Sequence, residues 1–236
     1  MSQPRQTSTP PDRCLLVAAA PREVRAVLDA LSATDRQTHA PWTLARINDR
    51  FDVLHTAVGK ANAAGAVARY LDPSIHKRVF SVGIAGSLPD SGLVLGDVVG
   101  ATRSTFADEG IATNSGFIPM SEAGFGAFPD ATMHAQHDPR LYADLCGRLG
   151  IVATVSRCSG TDACARAVVD RTGALCEAME GAAVALSARR IDPSIATAEL
   201  RVISNTTGDR AAQQWAIDEA LQRLCVVLGR LAASTA

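Results

Sequence analysis

Cys14-Leu15-Leu16-Val17-Ala18-Ala19-Ala20-Pro21-Arg22-Glu23-Val24 passes from an unbroken apolar run into a helical pattern with no loop between. The run over 14–20 reads as a strand buried on both faces. Pro21 stands in what becomes the first turn of a helix, where its missing N–H costs nothing. Val24, Val27, Leu28 and Leu31 keep helical spacing, so a helix is expected over 21–32. The alternation continues outward with a strand over 51–58, a helix over 62–71 and strands over 78–84 and 97–106. The stretch 107–137 is rich in Gly, Pro, Ser and Phe and has no clear period. Beyond it, helices over 139–149, 162–171 and 180–190 alternate with strands over 151–155, near Leu175 and over 199–204, and a helix over 211–231 closes the chain. Such alternation builds a mostly parallel sheet. The expected fold class is α/β, a single domain over 13–236 with a central mixed, mostly parallel β-sheet flanked by helices. Residues 1–12 have little to bury and are expected to form a disordered tail.

Of the 236 residues, 47% are hydrophobic and 20% charged, ample for a sizeable core. Lys and Arg number 23 against 24 Asp and Glu, a formal charge of −1, and no basic run exceeds Arg189-Arg190. That balance offers no electrostatic footprint for a phosphate backbone, so nucleic acid is not an expected partner. The six cysteines form no C-x-x-C pair and the five histidines no H-x-x-x-H, which argues against a zinc site or a disulfide framework. No metal is expected. Free thiols within apolar runs suit a reducing compartment, and the expected location is cytoplasmic. The 14–20 run has the outline of a signal-peptide core, but it follows Asp12 and runs into a helix, so export is not favoured. No apolar run approaches the ~20 residues that span a bilayer, so no membrane partner is expected.

Open α/β sheets hold ligands at the carboxyl ends of their strands. Four such junctions carry unusual residues: Ala19 to Val24, Gly83-Ile84-Ala85-Gly86-Ser87-Leu88, Ala178-Met179-Glu180-Gly181-Ala182-Ala183, and Ser204-Asn205-Thr206-Thr207-Gly208-Asp209-Arg210. None is a G-x-G-x-x-G or a G-x-x-x-x-G-K motif, so no nicotinamide, ATP or other cofactor is expected. Glu23 has two readings: an acid favoured by the dipole at a helix start, or a reacting group. Glu180 precedes a run typical of a buried helix, where a carboxylate needs partners or a proton. Either it accepts backbone N–H groups, or its two oxygens accept from the neighbouring hydroxyls of a ligand diol.

Taken with Val58-Gly59-Lys60-Ala61-Asn62-Ala63-Ala64, Gly96-Asp97-Val98-Val99, Phe106-Ala107-Asp108-Glu109-Gly110 and Arg201 to Arg210 with Trp215, these junctions resemble the purine nucleoside phosphorylase and nucleosidase superfamily. The resemblance covers about residues 14 to 230 and is closest to the branch that hydrolyses futalosine in menaquinone biosynthesis. Met179-Glu180-Gly181-Ala182-Ala183 marks the superfamily, while Ala107 to Gly110 and Ser204-Asn205-x-x-Gly208-x-Arg210 point to that branch.

The resemblance implies a nucleosidase that breaks an N-glycosidic bond and releases hypoxanthine. Glu23 would be the general base for the attacking water, and Met179 and Glu180 would hold the ribose, the latter through its 2′ and 3′ hydroxyls. Ala85 and Gly86 would offer backbone groups near the base and the anomeric carbon, and Ser204 is a further substrate-binding candidate. Asn205 stands where adenosine-type nucleosidases place an Asp, and its amide suits a 6-oxopurine. Asp209 is a second candidate acid in the same loop. Relatives often carry a base-stacking aromatic around Ser159 to Cys164; here no aromatic stands in that segment, Thr161 is its substrate-binding candidate, and Phe106 or Phe117 would have to stack instead. Ala178 replaces the polar residue that often precedes the Met-Glu pair. The expected partners are a small-molecule nucleoside and further copies of this chain, with apolar Phe117, Ile118, Phe125 and Phe128 suited to an interface. A nucleosidase acting on 6-amino substrates, a phosphorylase and a silent nucleoside-binding protein are the alternatives.

Overall fold

The computed structural model describes residues 12–35, 40–128, 130 and 132–234. Residues 1–11 of the expected tail lie outside the described residues. In chain order the strands are β1 (Arg13–Ala18), β2 (Thr43–Arg46), β3 (Phe51–His55), β4 (His76–Ser87), β5 (Val98–Phe106), β6 (Gly110–Thr113), β7 (Gly116–Pro119), β8 (His134–Gln136), β9 (Arg148–Thr154), β10 (Cys176–Ala178) and β11 (Ala196–Thr206). The helices are α1 (Pro21–Ala30), α2 (Lys60–Tyr70), α3 (Asp162–Thr172), α4 (Gly181–Ile191) and α5 (Ile217–Ser234).

One nine-stranded mixed sheet organises the chain, in the order β10-β9-β5-β11-β4-β1-β3-β2 with β8 added to β5. β1 lies parallel between β3 and β4, and every one of its residues is buried, as an apolar run covered on both faces requires. α1 and α5 pack on one side of the sheet, where Val24, Val27 and Leu28 meet Leu224, Val227 and Leu228. On the other side α2 and α4 bring Ala63, Ala66 and Val67 against Ala182, Val184 and Ala185. β10 pairs with β9 and also, antiparallel, with the end of β4, through Cys176 with Ser87 and Glu177 with Gly86. β4, β10, β9, β5 and β11 therefore form a closed ring of strands. Closure sets the β4 terminus directly against the residues that lead into α4.

Several expectations give way. The helix expected over 139–149 is two 3₁₀ turns, Pro139–Leu141 and Ala143–Leu145, followed by β9. Buried Tyr142 donates to the Ala101 carbonyl and meets the Phe80 ring edge-on, while 148–150 pair with β5. The terminal helix begins at Ile217 rather than at 211, because the backbone before it is used elsewhere: Thr206 N donates to Gln214 O and Ala216 N to Ser204 O. The stretch 107–137 holds a small hairpin, β6 with β7, as well as β8. β2 has no counterpart among the expected strands and pairs antiparallel with β3 at the sheet edge.

Candidate active site

A cavity of about 520 Å³ opens where β1, β4, β10 and β11 end, within the size range of small-molecule sites. Glu23, Ala85, Gly86, Met179, Glu180, Ser204 and Asn205 all line it. The β1–α1 junction delivers Glu23, which is 5% exposed. Its Oε2 accepts from Ala20 N at 2.9 Å and Ala19 N at 3.3 Å, and its Oε1 from Ile84 N at 2.9 Å. Glu23 thus accepts the backbone N–H of the residue before α1, as the helix-start reading expects, and also borders the cavity, where a reacting group would have to stand. Gly83 makes room for it, since a Cβ there would collide with the Glu23 carboxylate and with Arg201.

Glu180 stands immediately before α4 and is 6% exposed. Its Oε1 accepts from Gly59 N, at the start of α2, at 3.0 Å, and its Oε2 from Met179 N at 3.3 Å. The Arg201 guanidinium lies 3.5 Å from Oε2. Burial pushes the Glu180 carboxyl up and outweighs the pull of Arg201, with Glu23 adding like-charge pressure. Burial opposes the charge on Arg201 itself, but Glu199, Glu180 and Glu23 more than offset it and hold the guanidinium firmly protonated. One buried cation therefore lies among three carboxylates, two of which face the cavity.

Asn205 owes its position to a bulge. The β11–β4 register pairs Ile203 with Ala85 and Asn205 with Gly86, leaving Ser204 as an extra residue. Neighbours on a regular strand point to opposite faces; here the bulge lets both Ser204 and Asn205 line the cavity. Asn205 Nδ2 donates to Thr206 O at 2.8 Å, and its Oδ1 accepts from Ser204 Oγ at 2.9 Å.

Three expected site residues are absent from the lining. Phe106 is buried in the core, its ring centroid 6.2 Å from that of Phe128 and under Lys60 Nζ. Thr161 caps α3 by accepting from Cys164 N at 3.2 Å. Asp209 is exposed and accepts from Ala211 N at 3.1 Å. Phe117 is also away from the cavity, under Arg171. The aromatic that does line it is Trp215, 46% exposed, bridged to Asn205 and overlaid by Arg210 at 4.5 Å.

Arg210, from the fourth junction, lines the cavity as well, together with Gln213, Cys158 and Glu177, which no motif marks. Glu177 holds the facing loop by accepting from Ser159 N and Oγ, both at 2.7 Å, and burial pushes its carboxyl up. A carboxylate in an otherwise apolar three-residue strand was the available signal. Burial likewise raises the Cys158 thiol, leaving it a poor nucleophile. Arg22, adjacent to Glu23 in sequence, turns outward to pair with Asp218 and stays out of the lining. Among the described residues no group of three or more His, Cys, Asp or Glu side chains is placed to hold a metal.

The phosphorylase superfamily model matches residues 14–233. A futalosine hydrolase of Streptomyces coelicolor is 38% identical over 229 residues, covering 92% of this chain and 94% of that protein. A futalosine hydrolase of Thermus thermophilus is 32% identical, covering 78% and 81%. Among solved structures, the native futalosine hydrolase of Helicobacter pylori superposes with a TM-score of 0.74 at 14% identity, covering 94% of this chain and 98% of that one. A methylthioadenosine nucleosidase mutant from the same organism, with 5′-methylthioadenosine in its active site, gives 0.73 at 17% identity, covering 94% and 97%.

Proposed function

The chain belongs to the phosphorylase superfamily, and from that premise we propose that it hydrolyses the N-glycosidic bond of futalosine and releases hypoxanthine, as the names of its relatives suggest. The observation that carries the chemistry is the pair of buried carboxylates, Glu23 and Glu180, bordering one cavity and both acting on the charge of Arg201. Glu180 accepts from the ribose hydroxyls, and the Met179 side chain packs against the sugar. As the bond from the anomeric carbon to N9 lengthens, its electrons pass into the purine, which leaves as the anion and takes its proton from solvent, and the sugar becomes oxocarbenium-like. Glu23 takes a proton from water as the water oxygen bonds to the anomeric carbon. General-base help of this kind supplies roughly 10² to 10⁴ in rate. Asn205 serves the leaving 6-oxopurine, its NH₂ donating to N7 and O6, beside Ala85 and Gly86. Trp215 offers the stacking surface for the base.

Arg22 turns outward, and the buried Arg201 is already engaged by carboxylates, which favours water over phosphate as the nucleophile, because phosphorolysis needs cationic groups free at the Glu23 end. Hypoxanthine release from futalosine, with and without phosphate and with a 6-amino nucleoside in parallel, tests the reading. Release that requires phosphate, or that occurs only from the amino compound, sinks it.

The chain is proposed to act in the cytoplasm as a homo-oligomer. Ile111, Ile118 and Phe125, at 47%, 37% and 70% exposure, support a contact between copies around β6 and β7. Phe128, also expected there, is instead 3% exposed in the core. Light scattering on the purified chain and on a Phe125→Glu variant decides the point: a wild-type monomer removes the assembly, and an unchanged oligomer in the variant removes this contact. Among the described residues no helix is long and apolar enough to cross a membrane.

A further inference from the structure

Glu199 has no part in the reaction above, yet it is a fully buried carboxylate in the middle of β11, two residues before Arg201. Residues two apart on a strand share a face, so β11 alone puts both side chains on the same side of the sheet. Arg201 Nε donates to Glu199 Oε1 at 2.8 Å, and Nη2 of the same guanidinium donates to Ser81 Oγ of β4 at 2.9 Å and lies 3.5 Å from Glu180. The second oxygen of Glu199 accepts from Ser104 Oγ of β5. Ser104 Oγ in turn lies 2.6 Å from His137 Nε2, and His137 Nδ1 lies 2.9 Å from the Thr197 carbonyl oxygen. Gly181 completes the nest, because a Cβ there would overlap the Glu199 carboxylate. Such an arrangement is expensive to bury and leaves no freedom for the guanidinium to turn.

We propose that Glu199 is a positioning residue of the active site: held by Ser104 and His137, it fixes the Arg201 guanidinium toward Glu180 and so controls how strongly that cation competes with the substrate's ribose for the Glu180 carboxylate. Without the Glu199 charge, Arg201 has one fewer carboxylate to satisfy and binds Glu180 more tightly. The groups that face Glu180 are Arg201 and Glu199 from β11, Glu23 from α1, the Gly59 N–H before α2, the Met179 N–H before α4, and the Cys158 thiol. Of these only Arg201 is a cation, and Glu199 is one of the two carboxylates that moderate it. The proposal rests on the reading of Glu180 as the ribose ligand.

Glu199→Gln keeps the shape and the acceptor for Arg201 Nε while removing the charge. The Glu180 resonance, identified by its loss in Glu180→Gln, is followed by carboxyl ¹³C NMR across pH in the wild type and in Glu199→Gln. Its midpoint falls by about one pH unit in the variant. The acid limb of kcat/KM moves to lower pH in the same direction, and KM for the nucleoside rises several-fold. An unchanged midpoint and an unchanged limb in a folded Glu199→Gln protein overturn the proposal. Ser104→Ala provides a second test, since it keeps the Glu199 charge but releases one of its holds. KM then rises with the Glu180 midpoint unmoved, and a wild-type KM in that variant also overturns the proposal, even if Glu199→Gln does not fold. The NMR comparison needs no turnover, so a wild type that releases no hypoxanthine rejects the function without deciding the role of Glu199.

Discussion

Glu23 both caps a helix and is assigned a proton to take, and substitution separates the two duties. In Glu23→Gln one oxygen still accepts backbone N–H groups, whereas the new NH₂ confronts a donor that the carboxylate satisfied. The variant is expected to lose about 10²- to 10⁴-fold in kcat while binding substrate nearly as before. Thermal unfolding should show a cost of ~1–3 kcal/mol from the unpaired buried group. Retention of most of kcat removes Glu23 from the chemistry. For Glu180→Ala, calorimetry should find riboside binding weakened far more than binding of free hypoxanthine; equal losses would make the residue purely structural. At position 205, an Asp would set an oxygen against the Thr206 carbonyl that Nδ2 now serves, which favours a protonated acid. Turned from the Thr206 carbonyl toward the base, the single O–H of that acid can donate to N7 of an adenine-type base, which leaves poorly without it. Asn205→Asp is therefore expected to shift relative kcat/KM toward 6-amino nucleosides, and an unchanged ratio would remove Asn205 from base choice.

Among the elements, α3 offers the clearest separation of stability from catalysis. Thr161 caps it and lies off the cavity lining, so Thr161→Ala should cost ~1 kcal/mol of stability and leave kcat within about twofold; a tenfold fall in kcat would return Thr161 to the site. The β1–α1 unit was legible because Pro21, the apolar run and the helical spacing all agree. The segment at 139–149 was not, because Leu141, Leu145 and Leu149 repeat at helical intervals while 148–150 are claimed by β5 through pairing that no local pattern announces. Junction residues such as Glu23, Glu180 and Asn205 could be found because strand ends in α/β sheets point to ligands. Phe106 also ends a strand, but nothing local says which face its ring takes, and it faces the α2–α4 core. The bulge at Ser204 left no mark in the sequence, and nothing local shows that 211–216 brings Trp215 back to Asn205 before the terminal helix starts.

At the scale of the molecule, the ring of β4, β10, β9, β5 and β11 ties the two halves of the cavity together. Ala85 and Gly86 come from one side of its closing seam, and Glu177 to Glu180 from the other. Strands this distant in sequence meet late, since loop-closure entropy must be met before their contacts form. Refolding from denaturant should therefore show Trp215 fluorescence, read in a Trp42→Phe background, recovering in the same slow phase as hypoxanthine binding. Binding that recovers ahead of Trp215 would break that link. A nascent chain stalled before its seam zips up would then be silent rather than sluggish, because the cleft takes its wall from both sides of that seam and is incomplete until they meet.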